Sequence, residues 1–367
     1  MASEYKYQIL VDWIKEKVHK GELKPNDKLI SENKLSEMFS ISRQTVRHAI
    51  SFLVKEGIVN SKHGSGNYIS DRALKKDKGS KNIAIISTYV NDYIFPKTIE
   101  GMQKVLLNKG YRVQIMFTQN SVDKEEAIIR KLIDSGDIDG LIIEPTKSAI
   151  PKVDYLIYKE LMDRNIPTIF FNSFYSNLPI PHVSINDDMA GYTAVKHLLE
   201  AGHRNIGGIF KSDDGQGHLR YKGYMKAMKE AKAEINDESI IWIDSDDQRN
   251  LLKEEKRILR RLKSCTACLC YNDSVASDLE IICHQNDIVV PDKLSLISID
   301  NSDAAELCMV PLTSIIHPMK RLGKKVAENL LALIEDRAFS ATYEFKPEIC
   351  HRGSVTKIIE NIAEHNY

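Results

Sequence analysis

Two groups of residues in this 367-residue chain have the types and spacing to do chemistry. The first is Ser42-Arg43-Gln44-Thr45-Val46-Arg47. A four-residue interval puts Arg43 and Arg47 on one face of a helix. A guanidinium fork can donate two bonds to O6 and N7 of guanine, each such pair contributing about 1–3 kcal/mol of discrimination. Ser42 and Thr45, hydroxyls at a helix amino terminus, suit a phosphate. Gln44, His48 and Ser51 extend the same donor-rich face, and no acidic residue interrupts it. A solvated face would tolerate acids, so their absence favours a polyanion over a docked protein.

The second group follows short apolar runs: Tyr89 and Tyr93, Glu144, Asn172 and Tyr175, Lys211, Asn272 and Asp273, and Asp300. Vicinal hydroxyls bind bidentate polar partners, and the apolar faces of a pyranose pack on aromatic rings, so this set suits a sugar. Asp273 can equally cap the helix after it. Asp213-Asp214 and Asp246-Asp247 are acidic pairs without nearby histidines, so no metal is expected, and Asp246-Asp247 reads as a solvated loop. Cys265 and Cys268 form a C-x-x-C that lacks a second half, so this stretch reads as a buried strand. The chain has no G-x-x-x-x-G-K-[ST], G-x-S-x-G or H-E-x-x-H motif, so neither an enzyme nor a cofactor is expected.

The elements that must hold these residues follow from periodicity. Ile9, Trp13, Ile14 and Val18 predict a first helix ending at Gly21. Ser31 caps a second, with Leu35, Met38 and Phe39 inward. Ser42 caps a third, whose inner face is Val46, Ala49, Ile50, Leu53 and Val54. Alternation around Gly64 and Gly66 predicts a hairpin after it, and the whole is a winged helix-turn-helix over residues 1–70. Residues 71–82 are charged and unpatterned and read as a linker. Apolar runs at 83–87, 113–117, 140–143, 168–171, 206–210, 240–243, 267–270 and 296–299 then alternate with helical stretches. This implies an α/β domain over 83–355 with parallel, doubly wound sheets in two lobes, where ligands sit beyond the carboxyl ends of the strands.

Charge agrees with that division. The formal net charge is zero, yet residues 1–80 hold 15 Lys/Arg against 10 Asp/Glu, a balance of +5, and the remainder balances at −5. A polyanion, if bound, meets the basic end. No signal-peptide core follows Met1, and no run approaches the ~20 apolar residues of a membrane span, so a soluble, cytoplasmic protein without a membrane partner is expected.

The stretches 29–35, 42–50, 53–57 and 63–69 resemble the winged helix of the gluconate-repressor (GntR) family. That resemblance implies that Arg43 and Arg47 read bases or hold phosphates, that Ser42 and Thr45 position the helix, and that Gly64 and Gly66 admit the wing to the minor groove. His63 stands where that family often has Gln. Residues 83–351 resemble the effector domain of the lactose/galactose-repressor (LacI/GalR) family, itself similar to periplasmic sugar-binding proteins. The resemblance is carried by 183–206, 218–223, 270–276, 290–292, 298–301 and 312–315. It adds His218, Arg220 and His317 to the effector-binding set. The lactose-repressor hinge pattern Y-x-P-x-x-x-A-R is absent from 71–82.

The pairing of these two domains, with segments 93–96, 144–149 and 208–217, is similar to the arabinose-repressor family of Gram-positive bacteria. The resemblance implies a transcriptional repressor of carbohydrate-utilisation genes, bound to double-stranded operator DNA and released by L-arabinose. Palindromic half-sites imply a homodimer, joined through the effector domains. Another sugar, a nucleoside or a purine as effector, and a sugar-binding module with a protein-docking winged helix, remain alternatives.

Overall fold

Serine caps define the two short helices at the amino-terminal end. Ser31 Oγ accepts the Lys34 N–H at the start of α2 (Glu32–Phe39), and Ser42 Oγ accepts the Thr45 N–H at the start of α3 (Arg43–Lys55). Ser40, left-handed at φ 51°, makes the tight turn between them. With α1 (Glu4–His19) these helices enclose one core of Leu10, Val11, Ile14, Leu35, Val46, Ala49 and Leu53. The expected inner faces are shifted: Ile9, Met38 and Val54 are exposed, because Leu10 and Val11 turn α1 inward and Leu35 with Phe39 fills the α2 contact. Strands β1 (Val59–Lys62) and β2 (Gly66–Ile69) pair antiparallel, Val59 opposite Ile69 and Lys62 opposite Gly66.

The computed structural model describes residues 4–62, 66–70, 80–89, 93–151 and 155–358. His63 and Gly64, and most of the segment 71–82, lie outside the described residues. The chain divides into two compact units, Met1–Ser80 and Lys81–Tyr367.

In the second unit, parallel strands buried on both faces must be continuously apolar, and this produces two sheets. The first lobe is built on β3 (Asn82–Ser87), β4 (Arg112–Phe117), β5 (Gly140–Ile143), β6 (Thr168–Phe171), β7 (His182–Ile185) and β13 (Tyr343–Phe345). Its order is β13-β7-β6-β5-β3-β4, all parallel. The second lobe is built on β8 (Ile206–Lys211), β9 (Ile240–Ile243), β10 (Ala267–Cys270), β11 (Ser295–Asp300), β12 (Thr313–Ile316) and β14 (Ile349–Cys350). Its order is β14-β12-β11-β10-β8-β9, with β14 alone antiparallel. Cys268 and Cys270 are buried in β10 as core residues. The chain crosses between lobes three times: after β7, after β12, and between β13 and β14.

Each lobe contains one helix pair packed at backbone distance. In the second lobe α7 (Asp187–Glu200) meets α8 (Gly215–Glu230), and a Cβ on Gly223 would lie 2.0 Å from the Asp188 carbonyl oxygen. In the first lobe α4 (Phe95–Asn108) meets α13 (Met319–Glu335), and a Cβ on Gly323 would lie 1.9 Å from the Thr98 carbonyl oxygen. One helix of each pair, α7 or α13, directly follows an interlobe crossing, so the packing holds the crossing residues against α8 and α4.

Candidate functional site

On the first unit, Ser42, Arg43, Gln44, Arg47, His48 and Ser51 are exposed on one face of α3, and Thr45 is half-buried. Besides capping the helix, Ser42 Oγ lies 2.8 Å from Thr45 Oγ1. The face is not free of acid, because Glu32 on α2 accepts the Arg47 Nε–H at 2.9 Å. That bond occupies Nε and leaves the terminal nitrogens of Arg47 at the surface. Gly66, at φ 111°, opens β2 in a conformation that favours glycine, and a Cβ there would meet Lys28 Cε at 3.0 Å.

In the second unit, one cavity of about 380 Å³ lies between the carboxyl ends of the two sheets. Eight of the expected effector residues line it: Tyr89, Tyr93, Glu144 and Asn172 from the first lobe, and Lys211, Arg220, Asn272 and Asp300 from the second. Five lining residues hold left-handed backbone: Tyr93 (φ 59°), Asn120 (59°), Lys147 (47°), Asn172 (59°) and Asp300 (111°). Such strain persists only where surrounding structure imposes it, and it aims these side chains off the strand ends.

Arg220 is the pivot. It is 1% exposed, donates from Nε to Asp187 Oδ1 at 2.8 Å and from Nη1 to the Tyr271 carbonyl at 2.6 Å, and lies 3.5 Å from Asp300 Oδ1 through Nη2. Its guanidinium carbon sits 4.7 Å from the centre of the Tyr271 ring. Burial works against its charge, yet Asp187 and Asp300 hold it protonated. Burial also pushes Asp187 up to about 7, against the pull of Arg220, and raises Asp300. Glu144 is raised to about 7 by burial, opposed by the Thr88 N–H at 2.8 Å, Asn172 Nδ2 at 3.4 Å and the Ser87 hydroxyl at 3.0 Å. Two acceptors on opposite walls, Asn172 Oδ1 and Asp213 Oδ1, are buried without a hydrogen-bond partner among the described residues.

Four expected residues do not line this cavity. Tyr175 is a core residue packed against Tyr158 and Phe170, its hydroxyl donating to Glu125 Oε1 at 2.9 Å and lying 2.8 Å from the Thr146 carbonyl. Asp273 is buried at the first turn of α11 (Asp273–Gln285), where it accepts from the Ser298 and Ser314 hydroxyls and the Ser302 N–H; burial pushes it up to about 6. Its backbone N–H reaches the Tyr93 hydroxyl across the cleft at 3.1 Å. His218 points away to the Ser212 carbonyl at 2.9 Å and lines a smaller recess of about 230 Å³. His317, on the second crossing, is buried with neither ring nitrogen partnered among the described residues, and burial with the neighbouring Arg220 drops it to about 3.

Beyond the residues expected from the sequence, Asn120, Lys147, Ser173, Asp213, Asp214, Gln216, Ser245, Gln248, Arg249 and Tyr271 also line the cavity. Position after a strand would have found Asp213, Asp214 and Tyr271, and Tyr271 donates to Asp214 Oδ2 at 2.7 Å. The solvated loop expected at Asp246-Asp247 is instead the first turn of α9 (Ser245–Arg249). Asp244 Oδ1 caps it by accepting the N–H groups of Asp246 and Asp247, and Asp247 returns the bond to the Asp244 N–H.

Comparison with known proteins matches both parts. Residues 6–69 match the bacterial regulatory proteins of the gntR family, and residues 195–355 match a periplasmic binding protein-like domain. An arabinose metabolism transcriptional repressor of Halalkalibacterium halodurans is 37% identical over 98% of this chain and 100% of the relative. One of Geobacillus stearothermophilus is 33% identical over 96% of each. In fold, the transcription regulator CcpA of Lactococcus lactis superposes with a TM-score of 0.67 at 22% identity, over 75% of this chain and 99% of that one.

Proposed function

The chain belongs to the family of arabinose metabolism transcriptional repressors, and from that premise we propose that it represses carbohydrate-utilisation genes and leaves its operator when L-arabinose binds between its lobes. A member of this family is a sugar-responsive DNA-binding regulator and not an enzyme. The observation that supports a sugar is the pair of buried, unsatisfied acceptors, Asn172 Oδ1 and Asp213 Oδ1, facing one cavity beside the clamped Arg220. An acceptor buried without a donor costs about 1–3 kcal/mol, which a ligand hydroxyl would offset. The volume lies within the roughly 300–1,000 Å³ of small-molecule sites. In this reading Glu144, Asn172, Asn272, Asp300, Lys211 and Arg220 pair with hydroxyls, and Tyr89 and Tyr93 close over the sugar.

Arg43, Gln44 and Arg47 face base edges, Ser42 and Thr45 the phosphates, and the wing at His63, Gly64 and Gly66 the minor groove. A homodimer presents two such faces to a palindromic operator. No described helix is long and apolar enough to cross a membrane. A thermal-shift panel of pentoses, hexoses, nucleosides and purines tests the effector, since a ligand stabilises by RT ln(1 + [L]/Kd). L-Arabinose should give the largest shift. A shift confined to purines or nucleosides overturns the sugar, and equal shifts across the pentoses overturn L-arabinose.

A further inference from the structure

We propose that Arg249 is a positioning residue for the effector cavity, a strap reaching from α9 of the second lobe to Tyr89 of the first that sets how long a bound ligand stays. The inference rests on the effector reading above. The short helix α9 is fixed to its own lobe, since the Ser245 N–H and hydroxyl both donate to Asp213 Oδ2, at 3.2 and 2.7 Å. It is made rigid by the capping box at Asp244. It therefore presents Arg249 at a set place on the cavity wall.

Two bonds tie this helix to the other lobe. Arg249 Nη2 donates to the Tyr89 hydroxyl at 2.5 Å, with the guanidinium carbon 5.9 Å from the ring centre. Asn120 Nδ2 donates to Ser245 Oγ at 2.7 Å. All four residues line the cavity, so together they form one side of its wall. Their partners stand on different lobes, so a separation of the lobes breaks both bonds, and a ligand leaving past this wall must wait for that. A third interlobe contact, the ion pair Lys97–Asp303 between α4 and α12 (Asp303–Leu307), touches no part of the cavity and serves as a control.

The test follows release of radiolabelled L-arabinose from the full chain after dilution, with association measured separately. Arg249→Gln and Tyr89→Phe should each speed release about tenfold, the scale of one charge-assisted hydrogen bond. The double variant should be no faster than either single one, because both remove the same bond. Association should stay within about twofold, and Arg249→Lys should recover part of the slow release. Unchanged release, additive effects, or equal acceleration by Lys97→Ala would overturn the strap. Failure of the unaltered chain to bind L-arabinose would instead overturn the effector assignment. Hydrogen exchange at residues 244–250 of the unliganded chain then decides the strap by itself: faster in Tyr89→Phe, which leaves the Arg249–Asp246 pair within α9 intact, if the interlobe bond holds α9, and unchanged if it does not.

Discussion

Arg220 is buried with two carboxylates, and removing one partner of a buried pair leaves the others uncompensated. Arg220→Ala should therefore lower stability by roughly 3–5 kcal/mol and abolish sugar binding, as measured by denaturant unfolding and the thermal-shift panel. Stability unchanged within about 1 kcal/mol would mean that Asp187 and Asp300 are already protonated. Glu144 gives a pH signature. Its folded value, about 7, stands above the ordinary 4.5, so folding favours the protonated form. Its contribution is full below about 4.5 and is lost as pH rises to 7, a decline of roughly 3 kcal/mol. Glu144→Gln cannot ionise, so its stability relative to the parent chain should rise by that amount between pH 4.5 and 7. A parallel pH profile for the two proteins would contradict the burial argument.

At the scale of elements, α3 depends on its cap. Ser42→Ala should cost about 1 kcal/mol of stability in the amino-terminal unit, read by urea unfolding. Arg43→Ala should weaken operator binding and make its salt dependence shallower, measured by fluorescence anisotropy across salt concentrations. The glycine-packed pairs are less forgiving: Gly223→Ala and Gly323→Ala each force a methyl against a backbone carbonyl. Each should destabilise its lobe by about 1–3 kcal/mol or more.

These elements also show what a sequence conveys. Strands β3, β5, β6, β8 and β10 are legible because burial inside the sheets makes them largely apolar runs, and the edge strands β4 and β9 still carry apolar runs long enough to read. Strand β12 opens with Thr313-Ser314, and β13 and β14 are edge strands of three and two residues, so none has that signature. Position after a strand located Glu144, Asn172 and Asp300, but it does not say which way a side chain turns. Tyr175 turns into the core, and Asp273 bonds beneath the site. Ser245 and Arg249 belong to a short helix among charged residues with no apolar period, and only the three-dimensional cap at Asp244 reveals it.

For the whole molecule, the proposed function couples the winged helix of one unit to the cavity of the other. Coupling between such sites typically amounts to about 1–3 kcal/mol, or a change in affinity of roughly 5- to 150-fold. Two states suffice for this if the sugar prefers one and the operator the other. Fluorescence anisotropy of the full chain on a duplex selected from a random pool, titrated with L-arabinose at fixed salt, measures that coupling directly. The operator Kd should rise at least about fivefold as the cavity fills, a coupling that Arg220→Ala should abolish. An operator affinity unmoved by saturating L-arabinose would contradict it.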